Sequence, residues 1–436
     1  MARKLTYFIL AGLVLGILVG WAINATVGDG TPAGTARLAA YAHYISILTT
    51  VFLNLIKMII APLVLSTMIV GIAHMGDTAA LGRVGFKAVG WFVGASLVSL
   101  TLGLILVTLL KPGVGLGLPL PPASASSGVD RAAFDFATFV SHIFPQSMID
   151  AMASNSILQI VVFSLFLGVA ITAVGEPARP LVRAMEGLAK VMLQVTDYVM
   201  RFAPIAVFAA VSATIAEHGP SILGTFGYFM GSFYAGLVLL WILLFGAAFL
   251  VAGSRTRLLA RYIRDPIVLA FSTASSEAAF PRTLEALERF GVPPRIASFV
   301  LPLGYSFNLD GSMMYMTFAS IFIAQAYGIE LSLGTQIAML LTLMITSKGI
   351  AGVPRASLVV ITATLTQFNL PEAGVLLILA IDHFLDMGRS ATNVVGNAVA
   401  SVVVARWEGG FAPAEPADIE PPHAPSHRAT PPPAGS

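Results

Sequence analysis

Tyr305-Ser-Phe-Asn-Leu-Asp-Gly-Ser312, Ser347-Lys-Gly-Ile-Ala-Gly-Val-Pro354, Asp386-Met-Gly-Arg389 and Asn393-Val-Val-Gly-Asn397 are polar islands in otherwise apolar sequence. A charged side chain at mid-bilayer costs about 2.5–3.5 kcal/mol on insertion scales, so Asp310, Asp386 and Arg389 would sit there only facing protein or a water-filled cavity. The islands therefore read as a substrate site inside a membrane. On a helix advancing about 100° per residue, Asp382, Asp386, Arg389, Ser390, Asn393 and Asn397 stand at offsets 0, 4, 7, 8, 11 and 15, within one polar stripe.

The composition agrees. Hydrophobic residues make up 57% of the chain and charged residues 11%, against about 25% charged in ordinary soluble domains, and the mean hydropathy is +0.86. A net charge of +2, with Arg and Lys gathered in short loops, implies no nucleic-acid partner. With no cysteine, disulfides and thiolate metal sites are excluded. No cofactor is expected, and the partners expected are a small acidic solute and the bilayer.

The fold class expected is all-α and polytopic, with eight spanning helices and two re-entrant helical hairpins. Spans are expected at about 6–23, 43–74, 86–110, 145–175, 189–216, 222–253, 293–327 and 373–405. Threading them from a cytoplasmic start puts Arg83 and Lys87, Glu176 to Arg183, Arg255 to Arg264, and Arg406 on one side, as the positive-inside rule requires. Both termini are then cytoplasmic. Two further apolar stretches, about 265–290 and 334–368, carry Ser, Gly and Pro at their midpoints and read as hairpins entering from opposite sides. They form inverted repeats, and the site is expected where their tips meet. Residues 111–130, rich in Gly and Pro, read as a flexible outer loop, and 408–436 as a disordered cytoplasmic tail.

The residue types indicate the ligand. Arg389 presents a fork of donors to a carboxylate, while Asp386 pairs with an ammonium. Together they match an amino acid with a side-chain carboxylate. Backbone N–H groups at the hairpin tips, at Ser275, Ser276, Gly352 and Val353, are candidates for the second carboxylate. Unwound carbonyls around Gly304, Ser306, Asn308 and Asn393, with Asp310, are candidates for holding a sodium ion or giving way to a proton.

The serine-rich first hairpin, the Asn308-Leu-Asp-Gly-Ser312 break, the Gly352-Val-Pro354 tip and the final Asp386-Met-Gly-Arg-Ser-Ala-Thr-Asn393 resemble the glutamate/aspartate and C4-dicarboxylate cation symporter family, which includes the excitatory amino acid transporters. The resemblance runs to about Trp407. It implies a homotrimer in a bacterial cytoplasmic (inner) membrane working as an elevator. Scaffold helices one and two would occupy 1–85 and scaffold helices four and five 131–218; the transport domain would combine helix three (86–110) with 219–407. It also implies substrate contacts at Ser276, Ser312, Val353, Asp386, Arg389, Ser390 and Asn393, and sodium ligands at Gly304, Ser306, Asn308, Asp310, Ser347, Ile350 and Asn393.

Against that family pattern, Asn397 stands where sodium-coupled members carry a carboxylate, and a hydroxyl pair on the third helix is reduced to Ser96 beside Ala95. Ala274 replaces an arginine, Arg355 appears beside the second tip, and Met316 replaces a proton-carrying glutamate. A coupling proton would then use Glu277, Asp310 or Asp386. The function expected is acidic amino acid uptake coupled to a cation gradient, with H+ and/or Na+ as coupling ion and sodium dependence reduced or absent; C4-dicarboxylate symport is the alternative. Asp310 and Asp386 as an aspartyl-protease dyad form the rival from another class. Arg389 opposes it, because a guanidinium favours the ionised carboxylate over a shared proton.

Overall fold

A computed structural model of the chain describes residues 2–75, 78–115, 141, 143–219, 226–347, 356–379 and 381–412. All regular structure among them is helical. Five helices are long and apolar enough to cross a membrane: α1 (Ala2–Val27), α2 (Pro32–Met75), α3 (Thr78–Leu110), α5 (Ile157–Val174), which follows the short α4 (Met148–Ala153), and α8 (Gly227–Ala252). A sixth candidate is α6 (Arg179–Met200) with α7 (Ala203–His218), bent by 51° at the break between them.

The two remaining expected spans are each divided into two helices. α11 (Pro294–Phe307) and α12 (Asp310–Ala326) flank Asn308 and Leu309. α15 (Val375–Leu379) precedes α16 (Asp382–Trp407), which begins at the first aspartate of the polar stripe. The two Ser/Gly/Pro-interrupted stretches are helix pairs, α9 (Arg255–Thr273) with α10 (Ser276–Phe290), and α13 (Leu333–Thr346) with α14 (Ala356–Gln367).

α1, α5, α6 and α7 gather around α2. In α1, Gly12, Gly16 and Gly20 recur every four residues and form a stripe along which α7 lies; a Cβ on Gly16 would stand 2.8 Å from the Phe208 carbonyl oxygen. Small residues at this spacing let helix backbones approach closely where no hydrophobic driving force exists between helices in lipid. Hydrogen bonds add to the contact: Thr49 Oγ1 donates to Ala206 O at 3.0 Å and Asn24 Nδ2 to Ala216 O at 2.8 Å.

A second group centres on α16, against which α3, α8, α9, α10, α11 and α12 all pack. From Ser390 to Ala405 every residue of α16 is buried. A helix enclosed on all sides can keep polar side chains at membrane depth because its neighbours supply the partners that lipid lacks.

Residues 408–412, which the sequence assigned to the tail, are packed. Glu408 pairs with Lys87 at 2.6 Å and Arg83 at 3.2 Å, and Ala412 N donates to Gly291 O at 2.9 Å. Arg255 lies over the Phe411 ring at 5.5 Å. These contacts bring the basic residues at the starts of α3 and α9 to the same end of the molecule as the end of α16. The remaining tail, 413–436, and most of the outer loop lie outside the described residues.

Candidate functional site

The site is built on two helix interruptions. At the first, Ala274 adopts a left-handed conformation with φ of 48° and closes the end of α9, while Ser275 N donates to Ala270 O at 3.1 Å. Ser275 Oγ then accepts from Ala278 N at 3.2 Å and caps α10. This satisfies one of the N–H groups that a helix start leaves without an intrahelical partner. Ser276 and Glu277 follow, half-buried, and the Ser276 carbonyl accepts from Tyr305 OH at 2.9 Å.

The second interruption separates α11 from α12. Leu309, the residue before α12, has no side-chain acceptor to offer. Asn393 on α16 supplies one: its Oδ1 accepts from Gly311 N at 2.9 Å and Ser312 N at 3.3 Å, and its Nδ2 donates to Ser312 Oγ at 3.1 Å. Asp310, in the first turn of α12 and 0% exposed, accepts from Ser99 at 3.2 Å and from Asn308 Nδ2 at 3.1 Å. Asn308 Nδ2 also reaches Asn397 Oδ1 at 3.3 Å. The Ser306 hydroxyl, Asn308 Oδ1 and Asn397 Nδ2 are buried without a hydrogen-bond partner among the described residues.

Unpaired oxygens next to a buried carboxylate are chemically suited to a hard cation. The set is lean: among the described residues no three His, Asp or Glu side chains form a metal-binding group. The Gly304 carbonyl accepts Asn308 N at 2.7 Å, which leaves it one lone pair. Ser347, buried at the end of α13, donates to Met344 O at 3.0 Å. Ile350, Gly352 and Val353, together with Arg355, lie outside the described residues.

One turn before Asn393, Arg389 and Asp386 form an ion pair. Arg389 Nε meets Asp386 Oδ1 at 2.8 Å, Nη2 bonds the same oxygen, and Nη1 bonds Ser357 Oγ on α14. Ser390 Oγ donates to that Asp386 oxygen too, at 3.0 Å. Tyr315 stands beside the pair, with its ring 5.9 Å from the guanidinium and its hydroxyl donating to Asp382 at 2.6 Å.

The structure therefore joins Ser312, Asp386, Arg389, Ser390 and Asn393 around one end of α12, and Ser306, Asn308, Asp310 and Asn397 just beyond it. Ser96 is buried on α3, and a hydrogen bond to Asp310 comes from Ser99 on the same helix, a residue the sequence patterns had not marked. The signal was present: Ser99 lies four residues after Ala95, on the same face of α3. Tyr315 and Ser357 were also missed. Tyr315 follows Ser312 by one helical turn, whereas nothing in the sequence around Ser357 marks it.

A family model described as the sodium:dicarboxylate symporter family matches residues 5–407, and the chain belongs to that family. It is a multi-pass membrane transporter that couples its solute to a cation, not an enzyme. A proton/sodium-glutamate symport protein of Bacillus caldotenax is 38% identical over 413 residues, covering 93% of this chain and 95% of that protein. A proton/glutamate-aspartate symporter of Escherichia coli (strain K12) is 38% identical over 416 residues, 94% of each. A C4-dicarboxylate transport protein of Laribacter hongkongensis is 36% identical over 419 residues, 94% of this chain and 90% of that protein.

Proposed function

We propose that this chain takes up acidic amino acids, aspartate or glutamate, by cation symport, with protons contributing to the driving force and sodium dependence reduced. The observation that carries this reading is what the Asp386–Arg389 pair leaves over. Among the described residues, three of the five guanidinium N–H groups are engaged and two remain, while every hydrogen bond to Asp386 falls on Oδ1 and none on Oδ2. The two side chains are 14% and 17% exposed, so the pair is not sealed. A ligand carboxylate fits the spare N–H groups and an ammonium fits Oδ2.

Charge balance supports symport. Asp386 pairs with Arg389, Asp382 is linked to the same pair through Tyr315, and an acidic amino acid would add a further negative charge there. An unpaired charge in a low-dielectric interior is costly, so cations should travel with the substrate. Asn397, in place of a carboxylate, weakens the cage for a hard cation and favours a proton on Asp310 or Glu277.

C4-dicarboxylate symport is the second reading, favoured by the relative of that name. A dicarboxylate would leave Asp386 Oδ2 facing like charge. The packing groups around α2 and α16 fit a trimer scaffold and a moving transport domain, with α9–α10 and α13–α14 as re-entrant hairpins and both termini on the cytoplasmic side of a bacterial inner membrane. Purified protein in liposomes, given labelled L-aspartate or succinate with proton and sodium gradients imposed separately, tests the proposal. Uptake of succinate in preference to aspartate would overturn it.

A further inference from the structure

We infer that the first half of α9 carries an interaction surface for anionic phospholipid, with Arg257, Arg261 and Arg264 receiving the headgroup phosphates.

α9 holds four arginines and one acid, Asp265. At about 100° per residue, Arg257, Arg261 and Arg264 fall within a sector of about 60°. All three are exposed, as is Ala260 between them, while Leu259, Ile263 and Pro266 on the opposite side are buried. Packing of that opposite side against α10 and α16 turns the arginines outward. Arg264 meets Asp265 at 3.4 Å, whereas Arg257 and Arg261 have no ion-pair partner among the described residues. Like charges one helical turn apart repel, so this face gains from an anion brought from outside the chain.

The surroundings identify that anion. α8 ends in Phe249 and Leu250, apolar side chains 57% and 87% exposed on a helix long and apolar enough to span a membrane. Gly253, with φ of 60°, turns the chain, and α9 begins two residues later and packs against α8. The arginines therefore follow directly on the edge of the hydrocarbon, at headgroup depth. A guanidinium offers forked N–H donors that match a phosphodiester, and basic residues beside a span add their attractions to an anionic leaflet. A zwitterionic headgroup brings the same phosphate with a cation that the arginines repel. The lipid contact holds the start of α9 at the membrane surface, while its far end leads into the interruption at Ala274 and Ser275.

The chain has no cysteine, so Ala260→Cys places a single fluorophore on this face of the full-length protein. The labelled protein in neutral detergent is titrated with short-chain phosphatidylglycerol, short-chain phosphatidylcholine or inorganic phosphate. Phosphatidylglycerol should bind at least tenfold more tightly than phosphatidylcholine, and phosphate should not displace it. Raising KCl from about 50 to about 300 mM should weaken phosphatidylglycerol binding at least threefold. Replacing Arg257, Arg261 and Arg264 together by Gln should bring the two lipids within twofold of each other, and replacing them by Lys should keep most of the preference. Equal binding of the two lipids, a preference that survives the Gln replacements, or phosphate competing as well as the lipid would each overturn the inference. The salt titration decides it with the arginines in place, so it stands whether or not the Gln variant folds: a phosphatidylglycerol affinity indifferent to salt would overturn it.

Discussion

Asn393 caps a helix to which it does not belong, its Oδ1 taking the backbone N–H of Gly311 at 2.9 Å. The approach is close because Gly311 has no Cβ; one placed there would stand 2.9 Å from Thr392 Cβ and run into the Arg389 carbonyl. The residue that resembles a substrate contact in the family pattern thus holds the start of the helix whose first residue is Asp310. The groups proposed for the substrate and for the cation share one structural joint.

Asn393→Ala should therefore lower stability as well as transport. It leaves two buried N–H groups without their acceptor, a loss of about 1–3 kcal/mol. Thermal unfolding in detergent checks this, and a melting temperature equal to wild type would show that the cap is dispensable.

Arg389→Ala should abolish acidic-substrate uptake while the protein still inserts and assembles. Removing one partner of a desolvated charge contact costs about 2–5 kcal/mol, roughly 30- to several-thousand-fold in affinity. Labelled aspartate binding and uptake measure it, and an effect below about fivefold would demote Arg389 to packing.

Asp386→Ser should remove the preference for an amino acid over a dicarboxylate, since the ammonium loses its acceptor while a dicarboxylate loses a repulsion. Competition of labelled aspartate by succinate in both proteins gives the ratio. An unchanged ratio would mean that Oδ2 does not meet the ammonium.

The coupling ion should show itself in sodium-free liposomes with an inward proton gradient, where uptake is expected and a protonophore should stop it. Asn397→Asp should then increase the response to sodium by adding an anionic oxygen beside Asn308 and Asp310. Strict sodium dependence that ignores the protonophore would reject proton coupling.

At the end of α16 the Glu408 carboxyl is held below its ordinary value: burial pushes it up, but hydrogen bonds and charge from Lys87 and Arg83 outweigh that. A carboxyl depressed in the folded state contributes stability above its unfolded pKa, and the contribution is lost as pH falls through the folded value. Arg83 is 55% exposed, so screening keeps the gain to at most about 1 kcal/mol. Glu408→Gln should lower the melting temperature slightly at pH 7, by an amount that shrinks as the pH falls below the ordinary carboxylate range; a shift independent of pH would rule out the charge.

The bend at Arg201 and the start of α16 at Asp382 were not marked in the sequence, which by itself determined the helical apolar runs, the break at Asn308 and the face of α16 that carries polar groups. Each follows from local chemistry: apolar runs form helices, Asn308 and Leu309 sit at an interruption, and a period near four puts Asp382, Asp386, Arg389, Asn393 and Asn397 on one side. Only the tertiary structure decided what each polar group meets. Ser99 and Asp310 are 211 residues apart in sequence, Asn393 and Gly311 82, and Arg389 and Ser357 32. Periodicity names a helix face but not the neighbour opposite it, because a buried polar group takes whichever partner the packing of other helices brings within hydrogen-bond reach. For the same reason the lone acceptor on Asp386 and the spare donors on Arg389 were invisible until Ser390 and Ser357 were in place around them.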